Sequence, residues 1–479
     1  MDTPSVPPEV ALWVGVGSAV YLVVVLALAA FAQRRVDSME DYVVAGRRLT
    51  LGLASATLLA TWFGAGTLLA VADEVRAEGL RAAALDPIGA GVCLVLAGLF
   101  FARKMWSLKL VTLADLFRRR FGPRVEVFSG ALLVPVYFGW IAAQLVALAQ
   151  LLELFFGLPV AAGLAAVAAF GIFYTALGGM WAVTLTDGLQ MALLLVGLVI
   201  LTGAVALHFG DSVGEGATAV WQQVPDGHRI WIPRESLAEA GAWLGVFCAG
   251  SLGNLPSQDL MQRIFAARSA KVAQAACLVA GGAYLTFGLL PLFLGLAGHV
   301  IDAEGGSTLP MLAGIALHPG LAVLLVVTLL SAVLSTLDSA ILAPATVIAQ
   351  NLWRTSERVS PLQRTRIAVV GVGLVSVGVA YLGESAYSLL ESGYELGMVS
   401  LLVPLVVAVH LERPSVRAVV VAMGLGTSLW LAAQVAGLES LGPVPVGLAS
   451  TAAATMAYAL VARLAPGTRA EPLAVQSES

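Results

Sequence analysis

The chemistry of this chain begins with four polar residues inside an apolar stretch: Ser335, Thr336, Asp338 and Ser339. Residues 321–330 before them and 340–349 after them are almost wholly apolar, which is typical of a membrane-spanning helix. With Ala332, the three hydroxyl residues follow the i, i+3, i+4, i+7 spacing and share one helix face. Polar groups are costly inside a bilayer, and carbonyl, hydroxyl and carboxylate oxygens suit a small hard cation. We therefore predict an ion site.

The composition indicates a membrane protein. Of the 479 residues, 59% are hydrophobic and 12% are charged, far from the averages of globular domains. The three cysteines all fall in apolar segments, so they indicate neither a disulfide framework nor a zinc site. The slightly acidic balance argues against nucleic-acid binding. The expected partners are the lipid bilayer and a small-molecule solute, and the oligomeric state stays open.

Hydropathy predicts an all-α, polytopic fold in a single membrane domain over residues 1–479. Thirteen spans are expected, at about 10–32, 50–73, 84–103, 125–152, 159–178, 187–208, 240–257, 272–299, 320–350, 366–384, 387–410, 415–436 and 444–464.

The positions of the Lys and Arg residues predict how these spans are oriented. If the first span runs from outside to inside, 22 of the 26 basic residues lie in cytoplasmic segments and none lies inside the membrane. The other four lie in outer loops: Arg76, Arg81, Arg229 and Arg234. We predict a multi-pass protein of the plasma membrane with its N-terminus outside and its C-terminus in the cytoplasm.

Acidic residues without basic neighbours indicate a path for cations. Those in or at the edge of predicted spans are Asp86, Asp187, Asp338, Glu391 and Glu395. None of the three lysines follows a glycine, so the chain has no G-x-x-x-x-G-K-[ST] phosphate loop. ATP hydrolysis at such a loop is excluded, which leaves a secondary transporter or a channel.

Two predicted spans are interrupted by glycine and polar residues. One interruption is Thr61–Thr67, and the other, five spans later, is Ala249–Pro256. Paired broken helices are typical of inverted-repeat transporters and argue against a channel. Five spans counted from each break predict this organisation: an extra helix at 10–32, repeats at 50–208 and 239–410, peripheral helices at 415–464 and a cytoplasmic tail at 465–479.

Four segments carry glycine, polar or basic residues in a recognisable order: Gly178–Gln190, Gln262-Arg263 with Ala266–Ser269, Val333–Leu342 and Thr112–Gly122. They resemble motifs of the sodium:solute symporter family. The resemblance covers about residues 40–415 in the same order. It implies a five-plus-five inverted-repeat fold shared with amino-acid and sugar symporters, and uptake driven by Na+ through alternating access.

The resemblance also implies a principal sodium site. Its ligands would be the carbonyl oxygens of Ala60, Phe63 and Ala332 and the hydroxyl oxygens of Ser335 and Thr336. The alternative for both hydroxyls is a hydrogen bond back to the preceding helical turn, as in many membrane helices.

Some family members bind a second cation, which here would use Asp187, Ser335, Asp338 and Ser339. Asp338 stands where the family pattern has a hydroxyl, so a second sodium, a proton or neither stays open. Asp187 can instead cap a helix, because Asp187 and Gln190 fit a D-x-x-Q variant of the capping box.

Motifs near the expected substrate site resemble the choline-transporter branch of the family. Trp62 and Trp140 match tryptophans that help to enclose a quaternary ammonium in that branch, where ring faces attract the cation. The chain departs from the pattern at Ala90, where a tyrosine is expected, and at Ser257, where a tryptophan is expected. Single tryptophans can also be packing or interface residues.

We predict a small polar or cationic organic solute, with an amino acid, a sugar or a carboxylate as alternatives. Glu391 and Glu395 could face an amine, or could lie at a hydrated helix end. The candidate substrate residues are Trp62, Gly64, Trp140, Gln144, Asn254, Glu391 and Glu395.

Other functional classes are less favoured. An ion channel does not explain the paired breaks, and a transporter-like sensor would need more than the fifteen residues after Leu464. No enzymatic activity is expected, because the five histidines lie at span ends or in loops without partners: His208, His228, His299, His318 and His410.

Overall fold

The structure is a computed structural model that describes residues 8–301, 308, 319–353, 359–381 and 386–467. His318 and most of the predicted tail lie outside these residues. The α-helices are α1 (Pro8–Gln33), α2 (Met39–Val44), α3 (Leu51–Trp62), α4 (Val71–Glu78), α5 (Ala90–Leu96), α6 (Ala102–Ser107), α7 (Leu113–Phe121), α8 (Pro123–Phe156), α9 (Val160–Phe209), α10 (Val213–Gln223), α11 (Leu237–Cys248), α12 (Gln258–Ala266), α13 (Ala270–Phe287), α14 (Leu289–Ile301), α15 (Pro319–Val347), α16 (Pro361–Ala380), α17 (Ala386–His410), α18 (Val416–Val435) and α19 (Val446–Leu464).

Short turns of other helical types join several of these helices. The 3₁₀ turns are Ala45–Arg47, Leu80–Ala84 and Asp226–Arg229, and the wider π turns are Gly66–Ala70, Leu85–Gly89, Ala97–Phe101, Ala249–Gly253 and Ile348–Leu352. The strands β1 (Ser440–Leu441) and β2 (Val444–Pro445) form a small antiparallel pair before α19. The prediction of an all-α membrane protein is confirmed.

The number of spans is less clear than the fold class. Among the described residues, ten helices are long and apolar enough to cross a membrane, or eleven if the bent pair α3 and α4 is one span. α9 contains two predicted spans, because its 50 residues would extend about 75 Å as one straight helix, and its backbone leaves helical geometry at Gly179. The span predicted at 240–257 is short, since α11 ends at Cys248. Thirteen spans stay a prediction.

Both predicted breaks lie where the structure interrupts its helices. α3 ends at Trp62, the helix resumes at Gly66, and the two parts meet at an angle of 57°. α11 passes into the π turn Ala249–Gly253, and α12 begins only at Gln258. The π turn packs against the turn Leu85–Gly89 and against α17. The two breaks therefore lie inside the helix bundle.

α15, which carries the polar cluster, lies at the centre of the bundle. It packs against α1, α3, α8, α9, α12 and α16. Its polar residues Ser335, Thr336, Asp338 and Ser339 are all almost completely buried. A polar face enclosed by helices does not meet lipid, which is how membrane proteins accommodate such residues.

Two of the five histidines contact each other. The rings of His228 and His299 lie 4.0 Å apart, and each ring nitrogen lies near a backbone carbonyl at the end of α4. Burial, followed by the neighbouring His299, lowers the pKa of His228. The pair joins the turn Asp226–Arg229 to α4.

A tyrosine of α8 fixes the start of α12 after the second break. The Tyr137 hydroxyl accepts hydrogen bonds from the backbone N–H groups of Gln258 (2.7 Å) and Asp259 (3.1 Å), and donates one to the Asp259 carboxylate (2.6 Å). It thus satisfies N–H groups that a helix start leaves without an intrahelical partner.

We expect Tyr137→Phe to lower the free energy of unfolding by roughly 1–3 kcal/mol, because two buried N–H groups lose their acceptor. Thermal melting of the purified protein measures the effect. Tyr381→Phe is the matched control, since the exposed Tyr381 hydroxyl donates only to the Ala161 carbonyl (3.1 Å). Equal melting temperatures for the two variants would contradict the assigned role.

Candidate functional site

The predicted hydroxyl pair meets the first break directly. The Ser335 hydroxyl lies 3.0 Å from the Ala60 carbonyl oxygen and 2.8 Å from that of Ala332. The Thr336 hydroxyl lies 3.3 Å and 3.1 Å from the same two oxygens. Four oxygens from α3 and α15 therefore converge. Both hydroxyls therefore form the hydrogen bond to the preceding turn of their own helix, which the sequence left open as an alternative. They also contact the Ala60 carbonyl of the neighbouring helix.

These oxygens fit a small hard cation. Carbonyl and hydroxyl oxygens are the ligands that alkali and alkaline-earth ions take, and a ring of carbonyls can replace a hydration shell. No group of three or more His, Cys, Asp or Glu residues that could hold a metal ion occurs in the described part of the chain. A transition metal is thus not what this arrangement suits. Phe63, the remaining predicted ligand, follows α3 directly, where the backbone has left helical geometry.

Gly64 brings α8 to the same place. A Cβ atom on Gly64 would lie 2.6 Å from the Thr336 hydroxyl and 2.9 Å from Oε1 of Gln144. That Gln144 oxygen also accepts a hydrogen bond of 2.9 Å from the backbone N–H of Ala65. The absence of a side chain at Gly64 therefore lets α8 and α15 approach the break on both sides.

The predicted second cation site also forms a cluster. Thr57 donates a hydrogen bond of 2.5 Å to Asp187, whose second carboxylate oxygen is buried without a hydrogen-bond partner in the described residues. The Ser339 hydroxyl lies 3.2 Å from Asp338 and 3.3 Å from the Thr61 hydroxyl. Asp338 acts electrostatically on Asp187 across this cluster.

Arg263 corrects the prediction that no basic residue lies inside the membrane. The sequence placed it in a cytoplasmic segment, but its side chain is fully buried and points into the bundle. Its guanidinium donates hydrogen bonds to Ser339 (2.5 Å) and to the Thr57 carbonyl (3.2 Å). The acidic interior is therefore partly compensated by a charge of the protein itself. Hydropathy missed it because the long side chain reaches well beyond its backbone position.

The helix-cap alternative for Asp187 is wrong. Asp187 lies well inside α9 and not at a helix start, because the backbone deviation in that helix is at Gly179. Its carboxylate bonds to Thr57 of α3, and Gln190 bonds to the Tyr21 hydroxyl (2.7 Å). Both side chains thus connect helices.

Trp62, the last residue of α3, belongs to a cluster of aromatic and hydroxyl side chains at the break. Its carbonyl oxygen lies 2.9 Å from the Tyr284 hydroxyl and 3.1 Å from the Thr67 hydroxyl. The rings of Trp62 and Phe63 pack against the Tyr284 ring with centroids 6.5 Å and 4.8 Å apart. Tyr284 also donates to Asp86 at 2.7 Å. Tyr284 and Thr67 are not among the predicted site residues, although Thr67 ends the predicted interruption Thr61–Thr67.

The other predicted substrate residues are more scattered. Trp140 is half-buried and packs against Tyr137, with ring centroids 5.9 Å apart. Asn254 is buried in the second break and donates to the Gly250 carbonyl (3.3 Å). Neither of these contacts involves Trp62, so a closed aromatic cage formed by these residues stays a prediction.

Glu395 faces away from the break. Its carboxylate accepts a hydrogen bond of 2.8 Å from the Trp430 indole of α18 and lies against Gly447 of α19. Glu391, one turn earlier, is partly exposed, and its acidic neighbours are Glu395, Glu439 and Glu74. The predicted pair therefore belongs to an acidic region near the peripheral helices.

Comparison with known proteins identifies relatives of this arrangement. A model of the sodium:solute symporter family matches residues 42–423. The high-affinity choline transporter 1 of Caenorhabditis elegans is 27% identical over 78% of this chain and 68% of its own length. The human high affinity choline transporter 1 is 28% identical over 74% of this chain and 64% of its own length.

The fold also resembles a solved structure. A substrate-bound, outward-open Na+-coupled sialic acid symporter superposes with a TM-score of 0.80, over 95% of this chain and 98% of the other. The two sequences are 19% identical, so this likeness shows the fold alone.

We expect Gly64→Ala to raise the sodium concentration that gives half of the maximal thermal stabilisation by about tenfold or more, because the added Cβ displaces the Thr336 hydroxyl. Sodium titration in a thermal-shift experiment measures this. Gly52→Ala is the control, as a Cβ at Gly52, also in α3, meets nothing within 4 Å. If Gly64→Ala shows the same sodium dependence as the wild-type protein, Gly64 is not part of the ion site.

Proposed function

Because the chain belongs to the sodium:solute symporter family, we propose that it imports a small polar or cationic organic solute together with Na+. The predicted family and coupling ion are confirmed at the level of the family. The match spans about two thirds of the length of the choline transporters, so a particular substrate does not follow from it.

One observation carries the proposal: the Ser335 and Thr336 hydroxyls meet the Ala60 carbonyl across two helices. We place the coupling sodium between these oxygens and the carbonyls of Ala332 and Phe63. An ion at this position would contact both α15 and the broken helix. Its binding energy would therefore favour the conformation in which these two helices lie close together.

We further propose alternating access between repeats at 50–208 and 239–410, with the N-terminus outside and the C-terminus in the cytoplasm. The two helix breaks and the distribution of Lys and Arg support this arrangement.

Whether a second cation uses Asp187, Asp338 and Ser339 depends on Arg263. Two carboxylates and one guanidinium leave one negative charge, which a sodium ion or a proton would neutralise.

Ser335→Ala combined with Thr336→Val should abolish sodium-dependent stabilisation or raise the sodium concentration for half effect more than tenfold, because two of the proposed ligands are lost. The control is Thr328→Val in the same helix, whose hydroxyl donates only to the Leu324 carbonyl (2.7 Å). A double variant with the sodium response of the control would refute the proposed site.

Trp62→Ala should weaken binding of the solute by about tenfold if the ring contacts a cationic group, given the usual strength of cation–π contacts. The solute is first identified by a sodium-dependent thermal-shift screen of amines, amino acids, sugars and carboxylates, and its affinity is then compared. Trp221→Ala removes an exposed tryptophan and serves as the control. An unaltered affinity in Trp62→Ala would remove Trp62 from the pocket.

A further inference from the structure

Asp86 is a buried carboxylate that the proposed sodium sites do not use. It is 6% exposed, and its two oxygens accept hydrogen bonds from Tyr284 (2.7 Å) and Thr67 (2.9 Å). Both donors are neutral hydroxyls, and no Lys, Arg or His of the described residues forms an ion pair with it. A buried charge without a counter-charge is costly, so this carboxylate is neutralised either by a proton or by a cation that binds beside it.

The carboxylate and the amide of Gln144 both lie close to the first break. A Cβ atom on Gly66 would lie 3.9 Å from the Asp86 carboxylate, and one on Gly64 would lie 2.9 Å from the Gln144 amide oxygen. Because Gly64 and Gly66 are two residues apart, a solute that binds at this segment is expected to lie near both groups.

Several polar atoms around the break lack a partner. The indole N–H of Trp62, the amide nitrogen of Gln144 and the hydroxyl of Ser257 are buried without hydrogen bonds in the described residues. Buried donors of this kind normally have an acceptor. Two N–H donors on residues of the break and its neighbouring helix, together with the Asp86 carboxylate, suit a molecule that carries an oxygen acceptor as well as a positive charge.

The aromatic enclosure is incomplete. Rings of Trp62, Phe63 and Tyr284 pack together on one side of the break. Ala90 and Ser257 stand where the choline-transporter pattern has two further rings. A quaternary ammonium depends on ring faces because it cannot donate a hydrogen bond, whereas a cation with an N–H can use the remaining lone pairs of a carboxylate.

We propose that Asp86 is the counter-charge of the transported solute, and that this solute is a small protonated amine that keeps an N–H and carries an oxygen acceptor. Amino alcohols and amino acids belong to this class. The inference rests on the proposed sodium-coupled import and specifies its substrate. Glu391 and Glu395 are the competing carboxylates, but Glu395 bonds to Trp430 and Glu391 is partly exposed among other acids.

Two matched pairs of probes test the proposal by thermal shift in NaCl. N,N-dimethylethanolamine and choline differ by one methyl group on nitrogen, as do N,N-dimethylglycine and betaine. In at least one pair, the compound with the N–H should bind at least tenfold more tightly. Asp86→Asn should weaken its binding at least tenfold, while Glu391→Gln should leave it unchanged.

If sodium alone stabilises Asp86→Asn against thermal unfolding, the variant is folded. The comparison of the two compounds of each pair is made on the wild-type protein and therefore does not depend on any variant. The proposal is overturned if the quaternary compound of each pair binds as well as its partner, if neither pair binds, or if Asp86→Asn binds like wild type. A wild-type protein that sodium does not stabilise would instead contradict the proposed symport.

Discussion

The structure depends on how a broken helix satisfies its backbone inside a membrane. Where α3 ends, carbonyl oxygens no longer have the N–H groups of a following turn, and hydrocarbon offers no replacement. The hydroxyls of α15 meet the Ala60 carbonyl at this point, and Gln144 of α8 accepts the Ala65 N–H. The polar residues of α15 thus provide partners for a carbonyl oxygen that the break in α3 leaves without an intrahelical hydrogen bond. The break in turn accounts for the polar residues in a central helix.

The same constraint connects the two breaks. Arg263 lies in α12, directly after the second break, and its guanidinium reaches Thr57 of the first broken helix and Ser339 of α15. Tyr137 holds the start of α12 to α8. Polar contacts therefore run from one break to the other through the central helix. A cation that binds beside Ser335 or Ser339 would act on a network that includes residues of both broken segments.

Much of this could be predicted from residue types and spacing. The fold class and the first break follow from apolar length and glycines, whereas the pairing of Ser335 and Thr336 with Ala60 is implied by the resemblance to the sodium:solute symporter family. Arg263 could not be found in this way, because hydropathy locates a backbone and not the end of a long side chain. The cap predicted for Asp187 failed because tertiary packing continued the helix past it. The orientation of the Glu395 side chain depends on its hydrogen bond to Trp430, which is distant in the sequence and belongs to a peripheral helix.

The central claim is that one sodium ion joins α3 to α15. An experimental structure of the protein in NaCl, compared with one in KCl, tests it most directly. The account predicts density for an ion between the carbonyl oxygens of Ala60 and Ala332 and the hydroxyls of Ser335 and Thr336, in sodium only. Sodium density that is confined to the Asp187 cluster, or is absent from both places while sodium still stabilises the protein, would contradict it.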